Sequence, residues 1–465
     1  MDTTKVAQDI LTIAKRYGVE FCEVVATKTE ISLKRIKQGQ VDQPPAGEQW
    51  GIDLALVRKN RRKAVRFDNP FLGEELIGKM VAQMDLLPEQ EIILPTDTFP
   101  SVSPRNELFN EKTTELDGEG RMITIKRVIQ VLEKHGLFLS GKIAQARGRM
   151  TYENSLGVSQ TMRFTLACAG LFAFDRYNPS VSAYASSGGI SLDSLDTDRI
   201  LRELVYKCDL ARGKAKIDLF AQMREGEELK IDLIGEPYFF APLFEWMGIF
   251  GFNGLFVEKG ESFISGNIGN LITGSNVSIK DDPFDPRTQG MGIPFDFEGR
   301  PRKTLYLIEK GVARNAVYDN TLAKKYNHIP TGNALSPSFR SQGAVPFNLV
   351  IEGGNTSMEE MLANAIRPTL WVTKLHYPGM KHYQTATMTG VVSHGVFLIE
   401  NGKVIGPVEN VRFQESIPEA FKRIEAMSPS RLVFDPLNIS FPGGVVVPAM
   451  KIKDFRFVGS TNHSV

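Results

Sequence analysis

Three histidines, His376, His382 and His394, form the only concentrated set of imidazoles in a chain of 465 residues that has six. Imidazoles bind metals and move protons near neutral pH. Here, however, five and eleven residues separate them across the ends of expected strands, a spacing that matches no standard metal site. They are read as surface or hydrogen-bonded side chains. A second candidate is the acidic stretch Asp281, Asp282, Asp285, Asp296 and Glu298. It has the oxygen ligands that calcium requires without the regular spacing of a calcium loop, so solvated turn residues are expected. Ser186-Ser187-Gly188-Gly189 is not a nucleophile elbow. The glycine-rich stretch 248–274 lacks the lysine of a phosphate loop. His135 suits the end of a helix, where positive charge meets the dipole. His328 in a loop and His463 in the tail suggest no role. Glu245 carries a carboxylate that could act as a general base. It sits in the apolar run Leu243-Phe244-Glu245-Trp246-Met247-Gly248-Ile249, and a structural role beside a nearby cation is the simpler reading.

The elements that must position these groups follow from periodicity. Residues 5–17 place Val6, Ile10, Leu11, Ile13 and Ala14 on one helical stripe, closed by Gly18. Residues 21–27, 30–37, 51–58 and 63–67 alternate apolar and polar side chains as antiparallel strands do, and residues 72–84 form a helix. The Pro-rich stretch 86–105 has no clear period and reads as a linker or a loop packed across a surface. A second unit follows: a helix over 117–132, strands over 137–147, 149–156, 158–175 and 180–187 with a turn at Gly157, and a helix over 197–212. From residue 231 the chain is β-rich with one clear helix, 357–365. A hairpin is expected over 304–309 and 312–318, and the Asn401-Gly402 pair marks another turn. The fold class is α+β. A mixed N-terminal unit with antiparallel strands (residues 1–90) and a central α+β unit (106–222) precede a large β-rich C-terminal domain (230–465).

Composition narrows the function classes. Hydrophobic residues make up 42% and charged residues 23% of the chain, with 55 basic against 54 acidic side chains. That balance is globular and gives no bulk attraction toward nucleic acid or an anionic membrane. The basic run Arg58-Lys59-Asn60-Arg61-Arg62-Lys63 has no interleaved aromatics on which bases would stack, so a hairpin turn is expected. Cys22, Cys168 and Cys208 are three widely spaced thiols, with Cys22 and Cys168 in apolar strand patterns. Buried free thiols and a reducing, cytoplasmic compartment are expected. No apolar run reaches the length of a membrane span.

Several segments, in order, resemble the TldD/PmbA family of metallopeptidases. They are the hairpin region 285–320 (DPRTQGMGIPFDFEGRPRKTLYLIEKGVARNAVYDN), Thr331-Gly332-Asn333-Ala334, 348–354 (NLVIEGG), 395–402 (GVFLIENG) with Pro407-Val408, and 152–157 (YENSLG). The resemblance implies a His-Glu-x-x-x-His helix whose imidazoles hold a zinc-like metal, with its glutamate as general base and a C-terminal cysteine as third ligand. Aligned back from Gly260–Phe263, the histidine places fall on Phe244 and Ile249, with Glu245 between them and Gly248 where a small residue would let the backbone bend. The cysteine place falls near Phe434, and no cysteine follows Cys208. The resemblance is therefore to the TldE-like branch, with no cofactor in this chain and a metal in its partner. It implies a subunit that pairs with a histidine-bearing TldD-like chain, or with itself, to degrade unfolded or modified peptides. The alternatives are a non-enzymatic binding or regulatory protein, in a family also named for modulation of DNA gyrase, or a self-sufficient peptidase. The segment Val392-Ser393-His394-Gly395 departs from the family's pattern, as does 375–389.

Overall fold

The structure is a computed structural model that describes all residues except 43–46, 90, 96, 103–104, 106–107, 116–117, 225, 289–291, 435–443 and 461–465. His463 lies outside the described residues. The chain opens with helix α1 (Thr3–Arg16). A seven-stranded antiparallel sheet follows from strands β1 (Phe21–Lys37), β2 (Gln40–Asp42), β3 (Gly47–Arg58), β4 (Arg61–Phe67), β5 (Leu137–Asn154), β6 (Ser159–Asp175) and β7 (Ser182–Gly189). The order is β4-β3-β1-β5-β6-β7, with β2 added to β1. Because β1 pairs with β5 over most of its length, residues on both sides of the stretch 86–105 share this one sheet.

Two pairs of expected strands are continuous. The β1 ladder to β3 and β5 runs unbroken past residues 28–29, and β5 runs through Gly148. The basic run is a hairpin, as expected. Lys59 and Asn60 take φ of 51° and 53°, the left-handed pair that a two-residue turn needs. Its charge is partly spent locally: Arg58 meets Asp85 at 2.9 Å and Arg61 donates to the Leu87 carbonyl at 2.7 Å.

Alternation along the strands separates two faces. Cys22, Val24 and Ala26 of β1 pack with Leu54 of β3 against Val6 and Ile10 of α1 and Ile77 and Met80 of α2 (Gly73–Met84). Helices α3 (Gly118–Lys134) and α4 (Thr197–Ala211) pack with Leu137, Leu139 and Ile143 of β5. The opposite face presents Val25, Met150 and Tyr152 to Ile293, Phe295, Val345 and Phe347. Burying each such side chain contributes about 1.5–3 kcal/mol. Those contacts join the N-terminal sheet to the C-terminal domain.

The C-terminal domain is built on a closed ring of five strands, β8 (Leu229–Gly235), β20 (Met450–Ser460), β16 (Val411–Ser416), β14 (Thr387–Glu400) and β13 (Thr369–His382). Strand β15 (Lys403–Pro407) extends β14 through the Asn401-Gly402 turn, with φ of 49° and 71°. Strand β17 (Ile424–Met427) pairs with β20. A six-stranded sheet lies beside the ring in the order β11 (Val312–Ala313), β10 (Leu305–Glu309), β9 (Ile279–Asp281), β12 (Leu349–Ile351), β19 (Val445–Val447) and β18 (Arg431–Val433). The second strand of the expected hairpin is thus only two residues long.

The expectation of one clear helix here was too few. Besides α8 (Met358–Ala363), helices α5 (Pro237–Trp246), α6 (Gly254–Glu258), α7 (Asn320–Lys325) and α9 (Ile417–Phe421) are present. Helix α5 is apolar except for Glu245 and largely packs inside the domain, with Pro242, Glu245 and Trp246 half-buried, so it shows no polar stripe beyond that one carboxylate. The others are one or two turns long. Among the described residues no helix is long and apolar enough to cross a membrane.

Candidate functional site

Helix α5 begins with Pro237 in its first turn, the position where a missing N–H costs nothing. It continues directly into a π-turn, Met247–Gly251, where the Phe252 amide donates to the Met247 carbonyl at 3.0 Å. Such i→i+5 bonding widens the helix and draws positions five apart toward one side, and Gly248 lies inside the turn. The side chains go elsewhere. Phe244 is fully buried and stacks on Phe421 at 5.4 Å in the main core, whereas half-buried Ile249 joins the cluster of Val25, Tyr152 and Phe295. Glu245 is half-buried between them. Neither a phenyl ring nor a sec-butyl group offers an electron pair, so the donors of this helix do not fit a metal. Phe434 is buried against β7, where a Cβ on Gly188 would lie 2.7 Å from its own Cβ. The three cysteines are free and buried. Burial raises the Cys22 thiol and pushes that of Cys208 up to about 12. Among the described residues no three His, Cys, Asp or Glu side chains gather to hold a metal ion.

The acidic stretch corrects the expectation of solvated turn residues, because all five carboxylates are buried. Both Asp281 oxygens lie 2.6 Å from Arg302 Nη2, and Asp281 also accepts from Asn333 at 2.7 Å. Lys280 meets Asp282 at 2.9 Å and Asp285 at 3.3 Å. Burial works to raise Asp285, but Arg287 and Lys280 outweigh it and hold the carboxyl at about 2. Asp296 accepts from the backbone amides of Glu298, Arg300 and Ala334. Glu298 pairs with Arg340, which also reaches Glu23 of β1 at 3.2 Å. Several of these cations, Arg302 and Arg340 foremost, come from later in the chain. Spacing within the acidic stretch could not announce them.

Arg340 is outnumbered. Burial first, then repulsion from Asp296, Asp319 and Glu23, pushes the Glu298 carboxyl up to about 8 despite Arg340. Its ordinary value is near 4.5. Its contribution to stability is therefore complete below about pH 4.5 and is lost as the pH rises through 8. Glu298→Gln should accordingly flatten the fall in the urea-unfolding midpoint between pH 5 and pH 8. Parallel curves for the two proteins would contradict this assignment.

Residues 228–459 match the family described as the PmbA/TldA metallopeptidase C-terminal domain. TldE from Thermococcus kodakarensis superposes with a TM-score of 0.80 at 18% identity, over 98% of this chain and 100% of that one. The chain belongs to the TldD/PmbA family. A Thermotoga maritima structure named for modulation of a DNA gyrase has the same fold, with a TM-score of 0.78 at 17% identity over 98% and 100% of the two chains. In sequence, an uncharacterised protein of Methanocaldococcus jannaschii is 24% identical over 89% of this chain and 93% of its own length. A metalloprotease TldD homologue of Buchnera aphidicola is 22% identical, over only 45% of this chain and 44% of its own.

Within this TldD/PmbA fold the histidines divide. His376 and His394 approach to 5.3 Å between ring centroids, while His382 is exposed at the end of β13. His328, expected to be idle, stacks on Tyr318 at 4.2 Å and its Nε2 lies 2.8 Å from Glu258. Exposed His135 borders a cleft of about 1050 Å³ between α4 and the start of α5. A buried Lys207–Glu236 pair at 2.8 Å lies in its wall, and Trp371 Nε1 donates to the same carboxylate at 2.8 Å. Glu203 nearby is held at about 2, since Arg431, Lys207 and Arg199 outweigh the effect of burial. Arg199 and Arg431 both pair with Glu203, so these charges and the Lys207–Glu236 pair are satisfied within the cleft. Sequence reasoning missed this network because its members are far apart in the chain.

Proposed function

We propose that this chain is the TldE-like subunit of a TldD/TldE-type peptidase, contributing walls and strand edges while a histidine-bearing partner carries the metal. One observation carries the reading: at the two helix positions where a cutting relative has imidazoles, this chain has Phe244 and Ile249, each packed in an apolar cluster. Single-ligand loss would leave a partial donor set, whereas these residues leave none. Peptide capture by strand addition suits the fold, because main-chain hydrogen bonds accept many sequences. Among the described residues, strand β4 ends the N-terminal sheet with one side unpaired. A cytoplasmic location fits three free thiols.

Co-expression with a histidine-bearing homologue, followed by native mass and metal analysis, tests this. A one-to-one complex that holds its metal on the partner and cleaves unfolded peptide is expected. A stoichiometric transition metal on this chain alone, or chelator-sensitive peptidase activity without the partner, would overturn it. A stable homodimer that ignores the homologue would favour the regulatory reading instead.

A further inference from the structure

A cavity of about 430 Å³ opens between β7, the segment after α4 and the barrel strand β14. Its wall is shaped by a β-bulge. Val372 pairs with Val396 and Lys374 with Ser393, so His394 and Gly395 together oppose Thr373. His394 has φ of 55° and Gly395 of 108°, and a Cβ on Gly395 would come within 2.7 Å of Thr373 Oγ1. A histidine in the left-handed region is uncommon, and bulges re-aim side chains. Here the ring turns toward β7, where Ser182 Oγ lies 2.9 Å from Nδ1. The same ring meets Phe172 edge-on at 4.8 Å.

Two features call for a ligand. Ser393 borders the cavity, is almost wholly buried, and among the described residues has no hydrogen-bond partner for its hydroxyl, although buried polar groups are nearly always satisfied. Charge is also unbalanced. Lys214 and Lys216 line the rim and Glu409, 3.9 Å from Lys216, is the single carboxylate among the lining residues. Burial, then His376, Lys374 and Lys216, hold the His394 imidazole down at about 3. Burial disfavours charge of either sign, so what favours an anion here is the lysines at the rim. An imidazole so reluctant to accept a proton is a poor general base, so the Ser182–His394 pair fits binding rather than nucleophilic attack.

We propose that this cavity binds a small organic carboxylate with an apolar body, the class of free amino acids and C-terminal ends of short peptides. Lys214 and Lys216 meet the carboxylate, the serine hydroxyls add hydrogen bonds, and Phe174, Val181 and Val408 flank the apolar part. The peptide source rests on the proposed function; the carboxylate chemistry does not.

Calorimetric titration of the full chain with N-acetylleucine, leucyl-leucine, leucyl-leucine amide and inorganic phosphate tests it. The two carboxylates should bind, and the amide should bind roughly tenfold or more weakly, as loss of a charged hydrogen bond implies. Lys214→Ala/Lys216→Ala should weaken the carboxylates by a similar factor without moving the unfolding midpoint. Equal binding of acid and amide, binding of phosphate alone, or no binding would overturn the proposal. These titrations need no partner, so a failure to form an active complex leaves them interpretable.

Discussion

Arg302→Met is expected to lower stability by about 3–5 kcal/mol, the cost of stranding a buried charge once its partner is removed. Arg302 and Asp281 have side chains only 1% exposed. Arg302 also donates to the Ile293 carbonyl at 2.9 Å and Asn348 Oδ1 at 2.6 Å, and covers the Phe347 ring at 5.1 Å. One guanidinium thus ties β9, the loop at Ile293 and the chain entering β12 together. Lysine would not substitute, because an ammonium lacks the planar fork that makes these contacts at once. Asp281→Asn in the Arg302→Met background should recover part of the loss, since the stranded charge is then gone while the one amide oxygen still accepts from either Asn333 or the Asn348 amide. Urea unfolding of the three proteins measures this. A single mutant within 1 kcal/mol of the parent, or a double mutant worse than the single, would show that the pair does not hold this region.

What was legible in the sequence follows from the range of the interactions involved. Alternation and helical stripes are local, so α1, α2, α4 and the long strands of the first sheet could be read directly. The Lys59-Asn60 and Asn401-Gly402 turns could be read for the same reason. The unbroken runs of β1 and β5 could not, because Lys28–Thr29 and Gly148 break the pattern while hydrogen bonds to both neighbours carry the strand through. Helix α5 was recognised only by resemblance, since a segment with a single charged residue, Glu245, has too little polar face to reveal its period. The acidic stretch was misread for a different reason. Charge within it suggests water, and nothing local shows that Arg302 folds back onto Asp281, 21 residues before it, or that Arg340 reaches Glu298 from 42 residues further on. The His394 bulge was equally invisible, as it depends on one residue of β13 opposing two of β14.

Glu245→Gln in this chain is expected to leave peptidase activity of the assembled complex within about twofold, while the matching change in the histidine-bearing partner should cost about 10²–10⁴-fold. A general base matters only where it faces the water it deprotonates, and that water must be acidified by a metal with an open coordination position. Glu245 is flanked by Phe244, locked against Phe421, and followed four residues later by Ile249 in a separate apolar cluster. It has no ligand set to serve. Isosteric glutamine keeps its shape and most of its hydrogen bonding, so a structural role for the side chain would show in assembly or unfolding and not in turnover. Rates, complex mass and unfolding midpoint should therefore be measured on the same preparations. If Glu245→Gln lowered turnover a hundredfold in a fully assembled, normally stable complex, this glutamate would be catalytic, and the division of labour between a cutting chain and a metal-free one would be wrong.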